Sequence, residues 1–457
     1  MKNGLYKNSI YACLLIGIVY AWVGTGYLCW IYRLLEDYPN HTVELFINVL
    51  DYVFQAAGML LLALYVRYRS ADLKKVFILS AAAEMLFMAL AILIPIPGLS
   101  ITFGILMDVF CGILFGCCFT HLASLPDRRG VAMGTGWAIG SIATYLISLP
   151  QEGGFLRSSY SILLYLIMAI ASVVIYILGR DNVTPLEPTS TGGKASGRAR
   201  LLVIAVLTVI LIEITRNMGF LFHASEFADG EVNIEYSRAF YAVGLVIAGI
   251  ITDKSRQGGL LLCICSLLCP FISLFLAQYA VAAEILWALN YALTGMLTVY
   301  GVVLFADLSE NALYLAGLGL ICRRIGEPVG ATLGDRLAAS PVILITLTSL
   351  AFVLSVFCSA LLWKMLYFAR LPEEDAALKK EPVNDEDSCL LFIKKYDLSA
   401  RERDVLCEVI KGCSNPQIAE NLFISENTVK FHMKNLLKKT GTSNRTDLIR
   451  LFNESNR

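Results

Sequence analysis

Apolar residues in this chain do not alternate with polar ones; they come in long runs. A helix needs about 20 apolar residues to cross roughly 30 Å of hydrocarbon. Runs of that kind lie near 9–32, 43–66, 75–96, 100–124, 129–149 and 159–179. After a break they resume near 200–222, 237–252, 259–280, 283–306, 312–334 and 341–368. The pattern predicts an all-α fold of twelve membrane-spanning helices in two sets of six, a first half over 1–180 and a second over 200–368. The eighth run is short and the eleventh is interrupted by charge. Between the halves, 181–199 is rich in Pro, Gly, Ser and Thr and reads as a linker. Past the last run, 369–392 is charged and without apolar periodicity, a second linker.

From 393 to 457 helical spacing returns on a polar background. Ser399 with Glu402 three residues on is a capping box, and Val405, Leu406, Val409 and Ile410 give the first helix an apolar face ended by Gly412. Ser414 caps a second helix with Ile418, Ala419 and Leu422 inward. Leu422, Phe423 and Ile424 make a turn, and Ser425 caps a third helix running to about Lys439. Gly441 stops it, and a fourth helix near 444–453 carries Leu448 and Leu451. The second and third helices at this spacing predict a helix-turn-helix. Lys430 and Lys434, four apart, leave one face of the third helix with Phe431 beside them, while Val429 and Leu436 point into the domain.

Composition fits the division. The chain of 457 residues is 57% apolar and 16% charged, where a soluble domain has about 25%. The formal net charge is zero, but from Ser388 onward twelve Lys and Arg stand against eight acids. With the N-terminus inside, inner loops carry fourteen basic residues and outer loops four, which by the positive-inside rule puts both ends of the chain in the cytoplasm. Asp307 and Glu310 fall in an inner loop without basic residues and fit this least well. Most of the thirteen cysteines lie in apolar runs with no pair of CxxC motifs at zinc spacing. His432 has no second ligand at metal spacing and reads as a packing or phosphate-facing residue. No nucleophile elbow, P-loop or pair of catalytic carboxylates in a soluble setting is present. The expectation is a protein that is no enzyme and needs no cofactor.

Ionisable groups at bilayer depth are costly and are kept for a partner or a task. Asp51, Glu84, Asp108, Glu213, Arg216, Arg323, Arg324 and Glu327 are such groups. Glu213 and Arg216 share a helix face, and Arg323 and Glu327 are an i,i+4 pair. Two readings are open: the charges neutralise one another between helices, or Glu213, Arg216 and Arg324 line a ligand cavity with Trp137, Tyr291 and Tyr300. An uncompensated Arg324 would favour an anionic ligand. Gly136 and Gly140, and Gly326, Gly330 and Gly334, have the spacing of close helix contacts or of a substrate-facing groove.

Two resemblances add to this. The segments LSARERDVL, GCSNPQIAENLFISENTVKFHMKNLLKKTG and NRTDLIRL closely resemble the LuxR/NarL-type (GerE-like) DNA-binding domain, with Ala400 where that family often has Pro. The resemblance implies that Lys430, Phe431 and Lys434 enter the major groove of double-stranded DNA, where lysine can donate to guanine O6/N7 and a ring can meet a thymine methyl. Thr428, Asn435, Lys438 and Lys439 would then hold phosphates, although Lys438 and Lys439 also suit a solvated helix end. It implies a homodimer on DNA formed through the fourth helix, and RNA polymerase as a further partner. Two six-span halves resemble the major facilitator superfamily, supported by the loop GIITDKSRQGG with Gly249, Asp253, Lys254 and Arg256 in that family's pattern after the eighth span. The corresponding loop after the second span, YVRYRSADLKK, is degraded. Together they imply a regulator in the bacterial inner membrane with its DNA-binding domain in the cytoplasm and an unknown small-molecule ligand. The alternative is a working transporter with a regulatory tail, in which Asp51, Glu84 and Asp108 would couple uptake to protons.

Overall fold

The computed structural model describes residues 2–37, 41–68, 72–148, 159–179, 195–218, 234–276, 283–309, 313–337, 340–368, 392–393, 395–410, 413–422 and 424–455. These divide into two compact units, 1–370 and 371–457. Most of both linkers, Gly412 and Phe423 lie outside the described residues.

The first unit is built of helices α1 (Lys2–Asp37), α2 (His41–Tyr68), α3 (Leu73–Leu93), α4 (Pro97–Ala123), α5 (Arg129–Ser148) and α6 (Ser159–Leu178), then α7 (Ala195–Met218), α8 (Ile234–Lys254), α9 (Arg256–Cys265), α10 (Cys269–Leu276), α11 (Ala283–Leu308), α12 (Leu318–Leu337) and α13 (Pro341–Trp363). A short 3₁₀ turn, Ser266–Leu268, joins α9 to α10, so the two make one interrupted rod and the helices form twelve rods. Among the described residues nine helices are long and apolar enough to cross a membrane. The predicted eighth, ninth and eleventh spans are not among them: charged residues dilute the apolar runs of α8 and α12, and the ninth gives only the shorter apolar stretch Arg256–Ile272. The eleventh rod begins at Leu318 rather than 312, because Leu313–Leu315 is a separate 3₁₀ turn. Pro328 lies inside α12.

Lipid-facing positions account for the large apolar side chains left exposed, such as Leu79, Ile170, Val353 and Phe357. The inward faces are knit by small residues. A Cβ added to Gly136 or Gly140 would come within 2.5 and 2.6 Å of the carbonyl oxygens of Cys13 and Gly17, and one at Gly330 or Gly334 within 2.4 and 2.3 Å of those of Ile214 and Met218. The two glycine series therefore serve helix packing, α5 on α1 and α12 on α7.

The two halves, α1–α6 and α7–α13, meet chiefly where α5 packs on α8 and α2 on α12. At the end of the bundle that carries the α4–α5 and α8–α9 connections, the loop motif forms a latch. Both carboxylate oxygens of Asp253 accept hydrogen bonds from the first backbone N–H groups of α5, Gly130 at 2.8 Å and Val131 at 2.7 Å. An anion at a helix N-terminus satisfies orphan donors and complements the helix dipole. Gly249 makes the approach possible, since a Cβ there would lie 2.5 Å from the Gly130 carbonyl oxygen. Arg256 donates to Asp253 at 3.0 Å and to Asp307 at 2.7 Å, and Arg129, from the other half, donates to Asp307 at 2.7 Å. Asp307, without a basic neighbour in sequence, is thus flanked by two guanidinium groups in space. Lys254 is exposed and outside the latch. Near the degraded motif, contact between the halves takes another form: the Arg67 guanidinium lies 5.4 Å from the centre of the Tyr314 ring.

Asp307→Ala leaves Arg129 without its carboxylate and beside Arg256, which keeps Asp253. Its melting temperature in detergent is expected to fall further than that of Arg129→Ala. A double-mutant cycle between Arg129 and Asp307 is expected to give a coupling of about 0.5–3 kcal/mol; additivity would remove the latch.

Candidate functional site

The second unit has its own core, in which Phe392, Val405, Leu406, Val409, Ile418, Val429, Leu436, Leu448 and Phe452 are buried. Of the helices described in it, Ala400–Ile410, Asn415–Asn421 and Glu426–Thr440 start at the predicted caps, and Arg445–Ser455 follows as the fourth. The Ser399 N–H donates to Glu402 Oε2 at 2.8 Å, and Ser414 forms a reciprocal box with Gln417. Ser425 accepts from the Thr428 N–H at 3.1 Å. Gly441 ends the third helix at φ 70°, a left-handed conformation that costs a residue with a Cβ about 1–2 kcal/mol. Arg445 fastens the fourth helix to the end of the first by donating to the carbonyl oxygens of Cys413 at 2.6 Å and Val409 at 3.3 Å.

The third helix divides as its spacing predicts. Val429 and Leu436 are fully buried, while Lys430, Phe431 and Lys434 are exposed, Phe431 by 61%. Phe431 lies outside the buried core of this unit. Lys430 is paired with Glu426 at 2.9 Å, both side chains being largely solvated, and such pairs contribute little. The His432 ring packs edge-on to Phe431, with centroids 5.6 Å apart. Thr428 is half-buried, its hydroxyl 2.7 Å from that of Ser425. Asn435 is half-buried and Lys438 exposed. Lys439 differs from Lys438: its ammonium donates to the Asp397 carbonyl at 2.7 Å and to Glu402 at 2.8 Å. It thus ties the third helix to the start of the first. Burial works against the Glu402 carboxylate, but Lys439 and the Ser399 N–H and hydroxyl outweigh it and hold this carboxyl below its ordinary range.

In the membrane unit, Glu213 and Arg216 pair at 3.0 Å and belong to a larger network. Arg216 lies 3.6 Å from Glu327 and donates to Thr294 at 3.0 Å. Arg323 pairs with Glu327 at 3.1 Å and bonds the hydroxyls of Tyr241 and Thr298. Arg324 points the other way, over the ring of Tyr52 in the opposite half, 4.5 Å from its centre, and toward Asp51. What answers its charge is the Tyr52 ring and the nearby Asp51, while its Nε has no hydrogen-bond partner among the described residues. The three aromatic residues grouped with these charges have other neighbours. Trp137 is buried among Tyr20, Phe115 and Phe119. Tyr291 lies beside Trp287, and Tyr300 is buried near Tyr367 and Cys263. Sequence reading missed Arg129, Tyr241, Thr294 and Thr298. Their partners lie dozens of residues away, and no local pattern marks them.

Residues 397–452 match the family model described as bacterial regulatory proteins, luxR family. The tail is a LuxR-type helix-turn-helix domain. It is 55% identical over 53 residues to the uncharacterized transcriptional regulatory protein YhcZ of Bacillus subtilis, which is 12% of this chain and 25% of that protein. It is 50% identical over 60 residues to a nitrate/nitrite response regulator homolog of Haemophilus influenzae, 13% and 29% of the two chains. To the CsgBAC operon transcriptional regulatory protein of Escherichia coli it is 47% identical over 58 residues, 13% and 27% of the two. The chain thus spans only a quarter to three tenths of the length of these relatives. The rest of the fold is similar to the major facilitator superfamily transporter FucP in its outward conformation, with TM-score 0.55 and 13% identity over 78% of this chain and 98% of that one. At that identity the likeness is one of fold.

Two outcomes are expected in the LuxR-type domain. Gly441→Ala destabilises it by about 1–2 kcal/mol in urea unfolding. The lowered Glu402 carboxyl stabilises the fold fully above its unfolded titration range, and that stability is lost as pH falls through the lower, folded value. Glu402→Gln should remove this acid limb from a plot of urea midpoint against pH; an unchanged limb would mean that Glu402 does not carry it.

Proposed function

We propose that this protein is a membrane-embedded, sequence-specific DNA-binding regulator of transcription, and that its facilitator-like unit senses a small molecule. The observation that carries the reading is the exposed Lys430, Phe431 and Lys434 set on the third tail helix, beside a core that accounts for the other apolar residues there. Lys430 and Lys434 donate to base edges in the major groove, and Phe431 meets a thymine methyl. Thr428, Asn435 and Lys438 contact phosphates, with the capped helix starts. Lys439 does so only by sharing its ammonium with Glu402. Two tails engage half-sites about one DNA turn, roughly 34 Å, apart, dimerising through the fourth helix. The regulator lies in the bacterial inner membrane with both ends of the chain in the cytoplasm.

The ligand biases the equilibrium between the two halves to the extent that it binds one arrangement better. Candidate lining groups are Glu213, Arg216 and Arg324 together with Arg323 and Glu327, which are partly accessible to solvent. Trp137, Tyr291 and Tyr300, packed elsewhere, are not part of this proposal. A second reading, a transporter that also regulates, draws on the likeness to a transporter fold. Uptake by proteoliposomes separates the two, since a sensor binds without flux.

Lys430→Ala and Lys434→Ala are expected each to weaken operator binding by about 1–3 kcal/mol and to abolish regulation while membrane insertion stays normal. Binding of the full chain should fall steeply with salt. Normal regulation by the double variant would end the DNA-reading account.

A further inference from the structure

The central network has an odd charge. Glu213 and Glu327 face Arg216 and Arg323, two acids against two bases. Among the described residues, Arg324 is the base that remains for Asp51 and Asp108. These two carboxyls come from different helices, α2 and α4, and are 6% and 1% exposed. They lie within hydrogen-bond reach of each other. The Gln55 amide donates to Asp51 and lies close to Asp108 as well, but neither oxygen of Asp108 nor the side-chain oxygen of Gln55 has a hydrogen-bond partner among the described residues. Buried oxygens that receive no hydrogen bond are rare in folded proteins, because each has left water without compensation. Two carboxylates in contact at low dielectric also repel strongly, so one of them takes a proton and donates it to the other. Among the described residues no group of three or more His, Cys, Asp or Glu could hold a metal ion instead.

We propose that Asp51 and Asp108 form a binding site for a single proton, shared between the two carboxyls, and that Arg324 of the opposite half reads its occupancy. With the proton bound, the pair carries one negative charge, matched by Arg324, and the contact of α12 on α2 is neutral. When the proton passes to water, two carboxylates face one guanidinium and the contact is strained. Proton binding therefore favours the arrangement of halves seen here. The titratable and charged groups facing the pair are Tyr52 on α2, Cys111 on α4, Arg323, Arg324 and Glu327 on α12 and, through Cys111, Glu84 on α3. Glu84 is a separate buried acid that accepts from the Tyr165 hydroxyl at 2.5 Å. The site itself does not depend on the regulator reading; only its effect on transcription does.

The test is infrared spectroscopy of the full chain in lipid nanodiscs between about pH 5 and 9, a range wide enough to bracket a perturbed carboxyl. The expected result is a deuterium-sensitive carboxylic C=O band that disappears as pH rises. Asp108→Asn and Asp51→Asn each remove it, while Glu84→Gln removes only the separate band of Glu84. The melting temperature of the wild type falls over the same range, and that of Asp108→Asn, which mimics the protonated acid, stays level. Should Asp108→Asn not fold, Asp51→Asn serves in its place. A band that survives both Asp variants overturns the proposal. So does a melting temperature that follows sodium concentration rather than pH, which would make the occupant a metal cation. If band and melting behave as expected but transcript output is unaffected by pH, the site stands and the sensing role under Proposed function fails.

Discussion

A charge removed from water must be met by an opposite charge or a proton, and the membrane unit is arranged around that rule. Its central acids and guanidinium groups come from α2, α4, α7 and α12, in both halves of the chain. None could be buried by its own helix alone. The network therefore ties helices of both halves together, although neither oxygen of Asp108 has a hydrogen-bond partner among the described residues. Arg324 illustrates this: it belongs to the second half by sequence, but its aromatic partner, Tyr52, belongs to the first.

The same rule governs the latch, in wetter surroundings. Across the interface Asp253 meets backbone donors at the start of α5, with Arg256 of its own half beside it, so the first half contributes a helix end and the second an anion. Asp307 then gathers one arginine from each half. Contact near the other loop rests on Arg67 over Tyr314 instead. The two sides of the interface thus differ in chemistry, one ion-paired and hydrogen-bonded, the other cationic and aromatic. Salt and ligand charge will act on them unequally.

The tail was almost wholly legible in the sequence. Ser399, Ser414, Ser425 and Gly441 each mark a helix end by a local preference, and local preferences can be read in order along the chain. Among the described residues Lys439 departs from expectation, because its ties to Asp397 and Glu402 span about forty residues. In the membrane unit the runs located the rods to within a few residues, since length and apolarity are also local. What could not be read was which face of each rod turns inward. Nearly every face is apolar, so periodicity carries little information. This is why Trp137 and Tyr300 were grouped with charges they do not accompany, and why the balancing of Arg324 was invisible.

Pro328 follows directly on Glu327, within a turn of Arg323 and Arg324. Having no N–H, it leaves the backbone carbonyl of Arg324 without its usual helical donor. The rod is thereby weakened at the one turn where three charged side chains are fixed to partners on both sides. Bending there breaks no backbone bond, because the bond is missing already. The two ends of α12 are mechanically separable, with the pivot set among the charges themselves.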